Sequence, residues 1–196
     1  MISVLIKSGR ILLTTSRKPT DNMRTLCRDI AYAFPNIVQV NRGKLSIEGI
    51  VERALELGAE KVIVVDRWKG GFGKMGFFEV KQDDLSGVAP IIYLRGAKFR
   101  RDFGRIVSKG IRLRSVAIAS SSNRNFEAQR LANAFSNFFD APALSIEKTI
   151  NNEHHTVVQI LTDSLNRITI TLKLVPELIE IGPRLEISHL VWELPQ

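Results

Sequence analysis

Moved along itself by 105 residues, this chain lays "ILLTTS", residues 11–16, on "VAIASS", 116–121, and "MRTLCRDIAYAF", 23–34, on "AQRLANAFSNFF", 128–139. Leu26 then meets Leu131, Phe34 meets Phe139, Thr15 meets Ser120 and Ser16 meets Ser121. In both copies an aliphatic run is followed by apolar residues at helical spacing, the pattern of a strand feeding a helix. Further on, "TVVQIL" and "NRITITLKLV" stand where "KVIVVD" and "GFFEV" stood, and "PRLEISHLVWEL" echoes "PIIYLRG". Two similar α/β halves from internal duplication are the architecture this pattern predicts, with residues 1–110 and 111–196 joined closely through "SKGIRLRS".

In the first half the punctuation is clear. "RILLTTS" predicts a strand, and "RKPTDN" a turn with Thr20 and Asp21 as candidate caps. A helix follows with Met23, Leu26, Cys27, Ile30 and Phe34 on one face, stopped by Pro35. "IVQV" predicts a short strand, "NRGK" a turn at Gly43, and "SIEGIVERALELG" a second helix ending at Gly58. "EKVIVVD" and "GFFEV" predict a hairpin and "PIIYLRG" another strand. "AKFRRDFGRIVSKG", 97–110, predicts an amphipathic basic helix with Phe99, Phe103, Ile106 and Val107 on its apolar stripe.

Charge separates the halves. Residues 1–110 hold 20 Lys+Arg against 11 Asp+Glu, a net of +9, whereas 111–196 hold 8 against 9, a net of −1. Between 95 and 114 eight cations face only Asp102. A face so one-sided repels itself unless a polyanion is near, which points to nucleic acid. The single cysteine, Cys27, excludes a disulfide framework and a cysteine-rich zinc site, and a cytoplasmic setting is the expectation. No apolar run reaches the roughly 20 residues of a membrane span, and the N-terminus lacks the pattern of a signal peptide.

"DRWKGGFGKMGFFEV", 66–80, contains G-x-G-x-x-G at Gly71, Gly73 and Gly76. The dinucleotide fingerprint needs a helix after the glycines, and "FFEV" is strand-like; a Walker A reading fails because Met75 follows Lys74. The expectation is a flexible, basic hairpin tip that approaches an RNA backbone, where Trp68, Phe72 and Phe77 are candidates for stacking on bases. No catalytic set assembles. His154 and His155 point to opposite sides of a strand, "ASSSN" does not resemble G-x-S-x-G, and Glu48, Glu52 and Glu56 read as a solvated helix face. The sequence predicts no metal site, no cofactor and no enzyme activity.

Four stretches, "TTSRKPT" (14–20), "FPN" (34–36), "NRGK" (41–44) and "EIGPRLEI" (180–187), in this order resemble the Brix-domain family of ribosome-biogenesis proteins, in particular its archaeal-type, pre-rRNA-processing branch. "NNEHHTVVQI" (151–160) is similar to the family segment with a His-His pair before a strand. The resemblance implies one Brix-type domain over 1–196, with each half resembling the anticodon-binding domain of class II aminoacyl-tRNA synthetases. It also implies non-catalytic binding of precursor rRNA during rRNA processing and subunit assembly, with a guide RNA and other assembly proteins as further candidate partners. The absence of long charged tails from this sequence suits an archaeal-type, cytoplasmic member. The family motif falls on Ser16, Arg17, Pro19, Phe34, Pro35, Asn36, Asn41, Arg42, Gly43, His155, Gly182, Pro183 and Arg184. Apart from Arg17 and Arg42, these are expected to be structural; Arg184, beside Glu186, is expected to pair with a carboxylate or carbonyl.

The candidate RNA-binding residues are Arg17, Lys18, Arg42, Lys44, Arg67, Lys69, Lys74, Lys98, Arg100, Arg101 and Arg105. Arg17 and Lys18 sit where a strand hands over to a helix N-terminus, whose partial positive charge adds to theirs. The alternative is a protein-interaction scaffold of a pre-ribosomal complex, in which the near-neutral second half docks on another factor and RNA binding is weak.

Overall fold

The computed structural model describes residues 9–82, 84–104, 113–120, 125–145, 148 and 156–194. Strand β1 (Arg10–Thr15) leads into helix α1 (Asp21–Ala33), β2 (Ile37–Gln39), α2 (Ile47–Glu56), β3 (Ala59–Asp66), β4 (Gly73–Lys81) and β5 (Asp84–Lys98). After a 3-10 turn at Arg100–Phe103 come β6 (Val116–Ser120), α3 (Phe126–Phe139), β7 (Ala143–Leu144), β8 (Thr156–Thr162), β9 (Ile168–Leu174), β10 (Ile179–Glu180) and β11 (Arg184–Val191).

The helices start and stop where their side chains require. The Thr20 hydroxyl accepts from Met23 N at 3.3 Å and caps α1, whose buried face is Met23, Leu26, Cys27, Ile30 and Ala33. Phe34 is already extended, as the residue before a proline must be. Ser46 caps α2 through Gly49 N at 3.2 Å, and Gly58, at φ 64°, turns the chain out of it. Asn125 caps α3 through Ala128 N at 2.9 Å.

All described strands join one mixed sheet in the order β2-β1-β3-β4-β5-β11-β9-β8-β6-β7, with β10 beside β9. The order reads alike from either edge. β1 lies parallel between β2 and β3, as β6 does between β7 and β8. The pairs Leu12↔Val62 and Ala117↔Val157 correspond, at offsets of 105 and 95 residues. Lys61↔Glu79 corresponds to Thr156↔Leu174, both at 95. Met75↔Ile92 corresponds to Ile170↔Leu185, at 95 and 93. At the seam Leu94 pairs with Ile187, a residue 93 positions further on, so this pair maps onto itself.

One face of the sheet carries α1 and α3 over a core drawn from both sides of the seam, including Leu13, Ile63, Phe77, Leu94, Ile160 and Ile187. Helix α2 covers the other face near β1, β3 and the start of β5, where Ile50 and Ala54 pack with Leu12, Ala59 and Val62 and Leu85 lies against them. Residues 146, 147 and 149–155, between β7 and β8, lie outside the described residues.

The basic helix expected at 97–110 is corrected in its described part. Lys98 closes β5, paired with Arg184, because β5 is much longer than the apolar run "PIIYLRG" suggested. Phe99 is buried, Arg100–Phe103 form a 3-10 turn, and Gly104 adopts φ 77°, a conformation that no α-helix continues. Residues 105–112, with Arg105, lie outside the described residues.

Candidate nucleic-acid interface

Strands β1, β2 and β3 run in one direction, so their C-terminal ends share an edge of the sheet, and Gly73↔Leu94 brings the C-terminal part of β5 to the same edge. The loops leaving that edge carry Arg17 and Lys18 after β1, Arg42 and Lys44 after β2, and Arg67 and Lys69 after β3. The chain leaves β1 toward α1 on one face and β2 toward α2 on the other, which opens a crevice between the two exits.

Arg17 and Arg42 meet in this crevice. The Nε atoms of both donate to the Leu45 carbonyl, at 3.4 Å from Arg17 and 3.1 Å from Arg42. Leu45 N in turn donates to Arg42 O at 3.0 Å, closing a tight turn in which Gly43 holds φ 53°. Arg42 is only 9% exposed, yet among the described residues neither guanidinium has a carboxylate within 4 Å. Burial holds the Arg42 pKa down, and the nearby positive charge of Arg17 lowers it further against the pull of Asp66. Both line a cavity of about 500 Å³ with Ser16, Ile47, Asp66 and Asp84. Two adjacent guanidinium groups anchored through Nε beside a cavity are of the kind that contacts phosphate oxygens in pairs.

The hairpin tip differs from expectation. Gly70 and Gly71 lie under the Trp68 indole: a Cβ on Gly70 would stand 2.5 Å from Trp68 Cζ2, and one on Gly71 2.5 Å from Cζ3 and 2.7 Å from Leu94 O. Phe72 N donates to Leu94 O at 2.9 Å, so the tip is fastened to β5. The glycines therefore make room for Trp68 and the backbone of β5, which corrects the free, flexible tip read from the sequence. Two aromatic candidates are also corrected. Phe77 is 4% exposed against Phe135 and Phe138, and Phe72 packs on the core near Phe99. Arg67 and Lys69 are exposed, whereas Lys74 approaches Asp66 at 3.6 Å.

Of the remaining cations, Lys18, Lys44 and Lys98 are exposed. Arg100 turns onto α1, its N–H donating to Asp29 Oδ2 at 2.8 Å and its guanidinium 3.2 Å from the Tyr32 ring centre, so part of its bonding capacity is used inside the protein. Arg101 is exposed beside Asp102 and the Phe99 ring. Arg184 pairs with Glu180 through Nε at 2.8 Å and through Nη2, and these bonds raise its pKa. Its carboxylate partner is therefore chiefly Glu180.

Among the other family-motif positions, Ser16 N donates to Val65 O at 2.9 Å, Asn36 Nδ2 donates to Gly9 O at 2.9 Å, and Phe34 is buried. Pro19 is half-buried, Pro35 and Asn41 are exposed, and Pro183 is buried. Gly182, at φ 67°, lies against Phe103, where a Cβ would stand 2.9 Å from the ring. His155 lies outside the described residues, as do His154 and Ser121–Asn123. Sequence reasoning missed Tyr93 and His189, which cross-strand pairing brings into register 96 positions apart.

No group of three or more His, Cys, Asp or Glu side chains able to hold a metal ion occurs among the described residues. Cys27 is buried, and burial pushes its thiol up to about 12, far from a reactive thiolate. No described helix is long and apolar enough to cross a membrane.

No family model matches the chain. It is 36% identical over 94 residues to the "Probable Brix domain-containing ribosomal biogenesis protein" of Pyrococcus abyssi, a match covering 48% of this chain and 42% of that one. The protein of the same name from Pyrobaculum aerophilum is 24% identical over 151 residues, covering 77% and 80%. The chain is a homologue of archaeal Brix-domain proteins. It spans less than half the length of the Pyrococcus relative it matches. In fold it is similar to the crystal structure of a probable ribosomal biogenesis protein from Aeropyrum pernix K1, with TM-score 0.76 and 20% identity over 93% of this chain and 98% of the other. It is also similar to Mil, an archaeal Imp4-like protein, with TM-score 0.61 and 19% identity over 93% and 99%. The mixed α/β fold with one large sheet agrees with these Brix-type relatives.

Proposed function

We propose that this Brix-domain homologue is a non-catalytic RNA-binding factor of ribosome biogenesis that holds precursor rRNA on the basic edge of its first half. The observation that carries the reading is the Arg17–Arg42 crevice, where two cations converge with no carboxylate within 4 Å of either guanidinium among the described residues. Burying a guanidinium without a counter-ion is costly, and a phosphate would relieve it. The exposed Lys18, Lys44, Arg67, Lys69 and Lys98 supply further charge around the edge. Homologues named for ribosome biogenesis support the process, and precursor rRNA is the polyanion that process offers. The corresponding registers on either side of the seam support an origin by internal duplication, with halves resembling anticodon-binding domains of class II aminoacyl-tRNA synthetases. A cytoplasmic location and contacts with a guide RNA or other assembly proteins belong to the same proposal.

The test is fluorescence anisotropy of structured rRNA fragments across a salt series, with duplex DNA as competitor. The comparison is wild type against the charge reversal of Arg67, Lys69 and Lys98. RNA-preferring, steeply salt-dependent binding that the reversal weakens is expected. Equal weak binding to RNA and DNA, unchanged by the reversal, would reject the reading and favour the protein scaffold. Phe126, 77% exposed, and Leu165, 69% exposed, are apolar contact points in the second half that a scaffold could use.

A further inference from the structure

A row of side chains crosses four strands on the face opposite α1 and α3. Asp66 on β3 pairs with Lys74 on β4, Lys74 with Tyr93 on β5, and Tyr93 with His189 on β11. Ile92 and Leu94, the neighbours of Tyr93, are buried in the core beneath α1 and α3, so Tyr93 projects from the other face. The Tyr93 and His189 rings stack with centroids 4.3 Å apart and planes 11° apart. Trp68 stands edge-on to both, 5.2 Å from Tyr93 and 5.4 Å from His189. This three-ring cluster sits on the seam, and among the described residues no helix covers it.

The rings are held, yet open on one side. Gly70 and Gly71 leave just the space that seats the Trp68 indole, and Trp68 and Tyr93 are half-buried while His189 is exposed. β9 pairs with β11 only at Leu185 and Glu186, so the outer edge of β11 at His189 has no strand beside it among the described residues. The outer face of the imidazole is therefore the free end of a preformed stack. The surroundings are mostly cationic: Arg67 and Lys69 in the same loop as Trp68, and Lys74 next in the row. Asp66 beside Lys74 and Glu186, 3.4 Å from Arg95, are the carboxylates at hand.

We infer that Trp68, Tyr93 and His189 form a stacking platform for an unpaired nucleobase of RNA. An aromatic group on an open sheet face, with the exposed cations Arg67 and Lys69 in the adjoining loop, binds a flat π-system whose backbone is anionic. A base continues the stack on His189 while its flanking phosphates meet Arg67 and Lys69. The inference rests on the RNA-binding reading above and adds that the bound RNA presents a single-stranded element at the seam. Selectivity for single strands follows, because a base held in a duplex has no free face to offer.

The test uses the full chain carrying Trp192→Phe, which leaves Trp68 as the sole tryptophan, titrated with single-stranded oligouridine and with a blunt RNA duplex. Single-stranded RNA should quench Trp68 fluorescence. His189→Ala should weaken oligouridine binding about tenfold, as loss of one stacked base does, with duplex affinity and salt slope unchanged. His189→Tyr, which keeps a ring, should restore it. His189 is exposed, so these variants do not threaten the fold, and Tyr93→Leu gives an independent reading. Unchanged oligouridine affinity in His189→Ala and Tyr93→Leu, beside intact salt-dependent RNA binding, would overturn the platform and leave the basic edge standing. Absence of RNA binding by the parent protein would overturn both. A salt-resistant protein complex lost in His189→Ala would reassign the rings to a protein contact and overturn the platform.

Discussion

Phe34, the residue that ends α1, and Phe139, the last residue of α3, stand 105 positions apart and stack on each other with ring centroids 4.7 Å apart and planes 28° apart. Residues that correspond across the seam and also touch must lie near the axis relating the two sides. The helices carrying them therefore meet at their C-terminal ends over the middle of the sheet. Phe139 also packs edge-to-face with Phe135 and Phe138, which reach Phe77 on β4. Phe139→Ala should cost about 3–5 kcal/mol in urea unfolding, because a buried ring leaves a cavity that the sheet cannot fill. A double-mutant cycle with Phe34→Leu should show coupling of about 0.5–1.5 kcal/mol. Additive losses would mean the two rings contribute independently.

Lys61 fastens α3 to β3. Its Nζ donates to Phe138 O and to Asp140 Oδ2, each at 2.8 Å, at the negative end of the α3 dipole. Lys61→Met keeps the aliphatic stem and removes the charge, and should lower stability by about 2 kcal/mol. A loss confined to a few tenths would show that water replaces the cap.

Much of this architecture was legible in residue types and spacing. Thr20 announced its cap, Pro35 and Gly58 their stops, and the 105-residue offset aligned the segments that form α1 and α3, whereas the Ser46 cap of α2 was not singled out. The 97–110 segment misled because helical spacing of Phe99 and Phe103 is also satisfied when one ring is buried after a strand and the other packs on Gly182 in a 3-10 turn. At the candidate site the loop cations could be read from charge alone. The Tyr93–His189 stack could not, since only strand register joins positions 96 apart. Nor did the glycine pattern reveal that Trp68 lies over Gly70 and Gly71.

Gly71→Ala tests that last relationship. The added Cβ would stand 2.5 Å from the indole and 2.7 Å from the Leu94 carbonyl, and backbone cannot yield as a side chain does. A destabilisation of about 1–3 kcal/mol with a red-shifted Trp68 emission is expected. An unaltered spectrum would show that the ring does not rest on Gly71.

Asp29 gives the protein a pH signature. Burial raises its pKa above the ordinary 3.8, only partly offset by its bond from Arg100 N and by the positive charge of Arg100 and Arg28. The native state thus holds this proton more tightly than the unfolded chain. Its stabilising effect is complete below the ordinary value and is lost as pH rises through the raised native pKa. Asp29→Asn keeps an acceptor for Arg100 and does not titrate. Its stability relative to wild type should therefore climb across that window and level off above it. A constant difference would show that Asp29 titrates alike in both states.

Arg17 and Arg42 should separate by solvation. Arg17 is exposed and Arg42 is 9% exposed, though both bond the Leu45 carbonyl. If phosphate enters the crevice, Arg17→Gln and Arg42→Gln each remove one neutralised charge. Each should then flatten the salt dependence of single-stranded RNA binding by about 0.7 in log–log slope. Arg42→Gln should also shift stability, because its Nε bond helps close the turn around Gly43, whereas Arg17→Gln should leave the urea midpoint near wild type. Lys substitution discriminates further. An ammonium keeps the charge without the planar fork, so Arg42→Lys should retain the slope and lose affinity if the contact is bidentate. An Arg17→Gln variant whose salt slope equals that of wild type would place the phosphates elsewhere on the edge.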